Sequence, residues 1–274
     1  MGTAFNLSRW IAKGRLLLGV PGEATALLDY DKRKIRMGVS SAVEYHTRLH
    51  SCKKEPETVA WIEGFSPGDV FYDVGANVGA YSLVASAFWE GAVRVVAIEP
   101  GISNFPRLVR NLALNHLEQW VTPLPVALAE QTGMADLHYA DLTPGGALHS
   151  LNSTRDFRNR PFDSALSCPV LAFELDRLIE LFGLPQPTHL KLDVDGTELE
   201  ILRGATRTLR SVRSLLVEME TDHPQGPHLL ARLEQNGFKA TSRHPYRYRK
   251  EQPKFSGISN VIFSRTRAEA AVRS

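Results

Sequence analysis

In the stretch His189-Leu-Lys-Leu-Asp-Val-Asp-Gly-Thr-Glu198, Lys191, Asp193 and Asp195 interrupt what reads as a central strand. A strand buried inside a parallel sheet is nearly all apolar, so Lys191, Asp193 and Asp195 call for a purpose. Strand alternation puts the three on one face if the strand runs that far. Carboxylates at its C-terminal end fall where open α/β sheets bind ligands, and their burial is costly without a cationic or hydrogen-bonded partner. Asp195-x-x-Glu198 also reads as a helix capping box, which would give Asp195 a purely structural use.

A second stretch, Val70 to Gly79, reads VFYDVGANVG. Apolar residues, an aspartate and a Gly-rich turn running into a helical pattern predict a strand, a tight loop and a helix. The loop is expected to bring bare backbone N–H groups close to a ligand, an approach that only small residues permit. Its spacing, Asp73-x-Gly75-x-Asn77-x-Gly79, is neither the G-x-G-x-x-G of dinucleotide binders nor a P-loop, so nothing here predicts a phosphate cradle. Glu99, followed by Pro100, stands about 20 residues further on, where an acidic side chain accepts hydrogen bonds from a ribose. S-adenosylmethionine and NAD both carry such a ribose, and the loop spacing favours S-adenosylmethionine. A helix-capping or surface glutamate is the plainer reading of Glu99.

The elements around these stretches alternate. Strands are predicted at 70–73, 93–98, 121–128, 170–173, 189–194, 214–219 and 258–263, with a short one at 134–139. Helices are predicted at 78–89, 104–115, 176–182, 198–209 and 228–235. Strand alternating with helix means a parallel sheet covered on both faces. Pro123 and Pro125 push the third strand toward an edge. Residues 5–18 are expected to form an amphipathic helix, 31–34 a solvated turn between two short strands, and Pro56 the first turn of a helix ended by Gly64. The stretch 141–167 has no period and is long enough to be a functional loop; it carries His149, either a surface histidine or a base. Arg243-His-Pro-Tyr-Arg-Tyr-Arg-Lys250 reads as a solvated hairpin, a grip for an anionic acceptor, or a stacking surface for nucleic acid.

Composition narrows the partners. With 274 residues, 43% hydrophobic and 23% charged, the chain suits one α/β domain with extensions. A formal net charge of +2 gives no case for nucleic acid. Cys52 and Cys168 are too few and too far apart for a disulfide framework or structural zinc, which fits a reducing cytoplasm. No run reaches the ~18 to 20 apolar residues of a transmembrane helix.

The chain resembles the FkbM family of S-adenosylmethionine-dependent methyltransferases. The matching pieces are KEPETVAWI, DVGANVGAYS, IEP followed by NLALN, VALAEQTG, KLDVDGTELEILRGA and LLVEME, in that order between about residues 50 and 220. The resemblance implies a Rossmann-like sheet of seven strands with a reversed final hairpin, and methyl transfer to a hydroxyl oxygen without a metal. It implies that Asp73, Gly75, Asn77 and Gly79 line the methionine half of the cofactor. Glu99 would take the ribose, Val126-Ala127 would lie by the adenine, and Asp193 would sit near the transfer site. The chain departs from the family where Asp195 replaces a glutamate and where Gly101-Ile102 follows the Glu-Pro pair. Asp193, Asp195 and His149 are the candidate bases.

These readings lead to a cytoplasmic O-methyltransferase acting on a small molecule, sugar or glycan precursor, with no metal. The expected division is an N-terminal extension over 1–50, a catalytic domain over 51–264 and a disordered tail over 265–274. The rivals are an NAD-dependent oxidoreductase on a similar sheet and a non-catalytic partner subunit of the same fold.

Overall fold

The computed structural model describes residues 7–17, 24–147, 149–155, 160–220, 225–245 and 257–265. Helix α1 (Leu7–Leu17) leads into an antiparallel ribbon of β1 (Ala24–Leu27) and β2 (Arg36–Val39), with the charged turn 31–34 at its tip. Next come α2 (Ala42–His46), a short 3₁₀ turn (Arg48–His50), α3 (Ser51–Lys54) and α4 (Pro56–Glu63). Ser41 and Glu44 close a reciprocal capping box on α2. Pro56 starts α4 and Gly64 caps its end, as expected from the sequence.

From residue 70 the order is β3 (Val70–Val74), α5 (Ala80–Trp89), β4 (Arg94–Ile98), α6 (Phe105–Leu114), β5 (Val121–Leu124), β6 (Ala127–Leu128), β7 (Gly133–Tyr139), β8 (Ser150–Leu151) and β9 (Leu166–Phe173). Then follow α7 (Leu175–Phe182), β10 (His189–Leu192), α8 (Glu198–Arg203), β11 (Ser214–Glu220), α9 (Gly226–Gln235), β12 (Phe238–Pro245) and β13 (Ile258–Arg265). Seven strands form the main sheet in the order β12-β13-β11-β10-β3-β4-β5. The pairs from β11 to β5 are parallel, and β13 runs antiparallel to both β11 and β12, so the final hairpin is reversed.

Strand alternation sorts the core. Val95 and Ala97 of β4 join Phe71 in a cluster with α4, α5, α6 and the ribbon residues Ala26, Ile35 and Met37. Val96 and Ile98 face the other way, with Val70, Tyr72 and Val74, against α7, α8 and α9. The ribbon is therefore built into the same core as the sheet. Gly38 N donates to Asn111 Oδ1 at 2.8 Å, and Asn115 Nδ2 to Arg36 O at 2.7 Å.

Several expected strands come out differently. The stretch 121–128 breaks at Pro125: β5 is the edge of the main sheet, as the prolines suggest, and β6 joins a second sheet of order β6-β9-β7-β8. The 170–173 stretch lengthens into β9 and lies in this second sheet, antiparallel to β7, so it does not resume the parallel alternation. β12 carries no sequence period of its own; pairing with β13 through a register shift between Ala240 and Ser242 forms it. The expected helix 198–209 ends at Arg203, and the strand expected to reach Val194 ends at Leu192. The basic stretch 246–250 and the tail from 266 lie outside the described residues, as do residues 5, 6 and 18 of the expected N-terminal helix. Among the described residues no helix is long and apolar enough to cross a membrane.

The N-terminal end of the sheet is tied by a buried polar network. The His189 ring stacks on Phe65 at 3.8 Å; its Nε2 lies 2.8 Å from Asp69 Oδ2 and its Nδ1 2.8 Å from Ser214 Oγ. Trp61 Nε1 donates to the same hydroxyl at 2.9 Å, and Arg213 pairs with Asp69. His189→Ala removes a packed ring and one hydrogen bond each from Asp69 and Ser214, which keep Arg213 and Trp61 as partners, at an expected cost of about 3 kcal/mol. Urea unfolding at neutral pH should show that loss.

Candidate active site

At the C-terminal ends of β3, β4, β10 and β11 lies a cavity of about 860 Å³. Gly75, Asn77, Glu99, Val126, Ala127, His149, Asp193 and Asp195 all line it, so the structure brings together most residues singled out in the sequence. Asp73 and Gly79 stand behind this wall. Gly79 has φ +91° at the start of α5, and a Cβ there would run into Leu108. Its role is to let α5 and α6 close together.

The loop between β3 and α5 uses its own amides. Gly75 N and Ala76 N both donate to Ile98 O at 3.0 Å, Val78 N to the side chain of Asn77, and Gly79 N to Ala76 O. Asn77 N donates to Glu99 Oε2 at 2.8 Å. The expectation of bare N–H groups is thus corrected: the carbonyl end of β4 and Glu99 consume them, which also leaves nothing to cradle a phosphate. Gly75 earns its place through φ +78° and close approach, because a Cβ would strike the Asp193 carbonyl oxygen.

Glu99 is held from two sides, its Oε1 accepting from Gly101 N at 2.8 Å. Burial raises its pKa to about 7, against the hydrogen bonds from Gly101 and Asn77 that favour the ionised form. The side chain of Asn77 turns outward, and its Nδ2 donates to Gly146 O at 2.7 Å. Asn104 also donates to Gly146 O and accepts from Gly145 N. Arg48 Nε donates to Gly145 O at 2.8 Å, and Ser41 Oγ to Pro144 O at 2.6 Å. The segment 144–146 is therefore pinned across the cofactor-type loop. His149 follows it, its ring 4.9 Å from that of Tyr139. Both His149 ring nitrogens are buried without a hydrogen-bond partner, and burial, reinforced by Arg48, lowers its pKa.

The other end of the cavity is charged. Lys191 is 1% exposed, with Nζ 2.7 Å from Asp193 Oδ2, 3.8 Å from Asp73 Oδ1 and 5.1 Å above the Tyr81 ring. Burial works against its charge, but Asp193, Asp73 and Glu55 outweigh it and raise its pKa. Asp73 also accepts from Ser82 Oγ at 2.6 Å; burial raises its pKa despite Lys191 and that hydroxyl. Burial acts on Glu55 too, yet Lys54 and Lys191 hold its carboxyl down at about 2. Asp195 sits at φ +59° just past the strand end. The capping box is not formed: Thr197 is the N-cap of α8, while Glu198 Oε1 accepts from Val194 N and Gly196 N.

The sequence reading missed Glu218 and the wall formed by His46, Arg48, His50, Lys53 and Lys54. Glu218 carried a usable signal, since it interrupts the apolar strand 214–219 near its C-terminal end as Asp193 does in β10. Burial and the charges of Asp193 and Glu55 raise its pKa well above the carboxylate range. The basic residues belong to short turns with no period to read.

Residues 73–240 match the methyltransferase FkbM domain. The chain belongs to the FkbM methyltransferase family. It is similar to the hexuronic acid methyltransferase AglP of Haloferax volcanii, with 27% identity over 179 residues covering 65% of this chain and 67% of that protein. It is also similar to methyltransferase sdnD of Sordaria araneosa, with 31% identity over 198 residues covering 62% of this chain and 73% of the relative. A crystal structure of an FkbM methyltransferase from Methylobacillus flagellatus aligns with 17% identity and a TM-score of 0.48. That alignment covers 73% of this chain, which spans 44% of the length of that protein.

In this methyltransferase Lys191 neutralises the buried Asp73 and the partly exposed Asp193. Lys191→Met is expected to cost about 3 to 5 kcal/mol, because it leaves buried charges unpaired. Against burial, the carboxylate partners raise the Lys191 pKa, so the wild-type advantage is complete only below the ordinary lysine value of about 10.5. The loss should be full between about neutral pH and about pH 10, shrink as pH falls and the carboxyls protonate, and shrink again in more alkaline solution. Unfolding curves of the variant and the wild type across pH check both the size and the sign.

Proposed function

We propose that the cavity binds S-adenosylmethionine and that the enzyme transfers its methyl group to a hydroxyl oxygen of a sugar, glycan precursor or secondary metabolite. The observation that carries this reading is Glu99: a buried carboxylate at the end of β4, oriented by Asn77 N and Gly101 N and facing the cavity beside Gly75. Such a carboxylate suits a ribose diol. Apolar Val126, Ala127 and Ile98 suit an adenine face, and the carboxylates Asp193 and Asp195 suit a ligand that brings positive charge. Asp73 and Gly79 serve from behind, one holding Lys191 and the other seating α5. The similarity to a hexuronic acid methyltransferase supports a sugar or small-molecule acceptor.

The cofactor supplies a methyl group on a cationic sulfur, already activated for displacement. The protein's share is positioning, water exclusion and removal of one proton. Bonding of the acceptor oxygen to the methyl carbon would break the carbon–sulfur bond and release a neutral thioether, with Glu99 and the loop at Gly75 holding the donor. The acceptor's proton passes to a cavity base. Asp193 is placed for that role, with Lys191 fixing its second oxygen; Asp195 and His149 line the same space.

Calorimetry with S-adenosylhomocysteine tests the reading, and absence of binding by the wild type would sink it. Glu99→Ala should weaken binding by about 10- to 100-fold, the worth of charge-assisted hydrogen bonds to a diol. Because burial sets the Glu99 pKa at about 7 and ribose hydroxyls favour its ionised form, affinity should improve as pH rises from about 6 to 8. Glu99→Gln should flatten that dependence. Asp193→Asn should keep cofactor affinity within a few-fold while most turnover is lost.

A further inference from the structure

The wall opposite the strand ends comes from the segment before the family match, residues 42–54, which run as α2, the 3₁₀ turn and α3 with hardly a break. His46, His50 and Lys53 come one from each of these short elements. All three line the cavity, with Arg48 and Lys54. Those last two are engaged, Arg48 with Gly145 O and Lys54 with Glu55 Oε1 at 2.9 Å. The ammonium of Lys53 has no hydrogen bond or ion pair among the described residues. Behind the face Arg9 reaches His50, with Nη1 3.4 Å from Nε2.

Charges in the cavity are sorted by end. The groups weighing most on His50 are Arg9, Asp29, Lys53 and His46, none of them a strand-end carboxylate. Those weighing most on Glu218 are Asp193, Glu55, Lys54 and Asp195, none of them from the His46, His50 and Lys53 face. Asp29, the one carboxylate prominent at the basic end, spends its oxygens on the backbone amides of Cys52 and Lys53, both at 3.0 Å. After burial, like-charge repulsion from Arg9 is the next cause depressing His50, as expected where cations outnumber anions.

We propose that His46, His50 and Lys53 form a subsite for an anionic group, a carboxylate or phosphate, carried by the acceptor. Held there, such a group would leave the acceptor's hydroxyl to reach across toward Asp193. The sugar-type acceptor would then be an acid or a phosphate ester. Solvated charges on an outer face would serve solubility, but these residues face the space that also holds Gly75 and Glu99. They lie ahead of the residues that match the family domain.

The proposal rests on the methyl-transfer reading of the cavity, and one experiment separates the two. Protein saturated with S-adenosylhomocysteine is titrated with D-glucuronate, D-glucose 6-phosphate and D-glucose by ligand-observed NMR. At least one of the two anions should bind about tenfold more tightly than glucose, and which one does distinguishes carboxylate from phosphate. Lys53→Ala should erase about fivefold of that preference, and Lys53→Glu should reverse it, with S-adenosylhomocysteine affinity unchanged in both. Lys53 and His46 are exposed, so these variants should fold. Equal binding of the three sugars, no saturable binding of either anion, or a preference untouched by both Lys53 variants would overturn the subsite while leaving the cofactor reading intact. Failure of the wild type to bind S-adenosylhomocysteine would instead remove the reading beneath it.

Discussion

A single buried ammonium organises the end of the sheet that opens into the cavity. Lys191 on β10 meets Asp193 beyond its own strand, Asp73 on the neighbouring β3, and the field of Glu55 from the N-terminal segment. Desolvating that many charges costs several kcal/mol for each ion unless the partners close around one another. The closure holds together the end of β10, the start of the Gly-rich loop and the start of α4. Carboxylates still outnumber cations there, and the surplus shows at Glu218, whose pKa burial and its acidic neighbours raise. An arriving cation would relieve that surplus, so the site is built to favour a positively charged ligand before any contact is made with the rest of it.

The loop and the pinned segment 144–146 supply the second constraint. Ile98 O and the Glu99 carboxylate satisfy the loop's amides, so the loop is rigid without a ligand. Asn77 sits at φ +51°, a conformation asparagine tolerates better than most side chains. That conformation turns its amide toward Gly146 and ties the long loop to the short one. Arg48 and Ser41 tie the same segment to the N-terminal region. Three stretches distant in sequence thus meet at one rim, and each borrows its order from the others.

Much of this was legible in the chain. Alternating apolar runs and helical periods identified the parallel layers, because both faces of β3 and β4 are buried and their sequences must say so. Glu99, Asp193 and Asp195 stood out because charge inside or at the end of a buried strand needs a partner. What escaped was set by tertiary pairing. Ala127-Leu128 and the 166–173 strand are apolar enough for the main sheet, yet the break at Pro125 and pairing with β7 draw them into another. β12 exists because β13 offers it an edge. Asp73 was assigned to the cavity from its place in a motif, whereas strand alternation turns its side chain toward Ser82 and Lys191.

The wall at 42–54 was illegible for a different reason. Its residues lie in one-turn helices too short for a period, and its ties to the site run through Gly145, Glu55 and the core beneath α5 and α6. That position has a functional consequence. The half of the cavity around Glu99 and Asp193 is assembled from strand ends and a hydrogen-bonded loop, elements that the sheet fixes once and for all. The opposing half is assembled from a segment whose exposed face can change without disturbing the sheet, because Ala26, Ile35, Met37 and Leu49 anchor it from behind. An enzyme built this way can keep its donor chemistry constant while its acceptor changes with a few surface residues. The face formed by His46, His50 and Lys53 is therefore the part of this cavity that can be varied at least cost to the sheet.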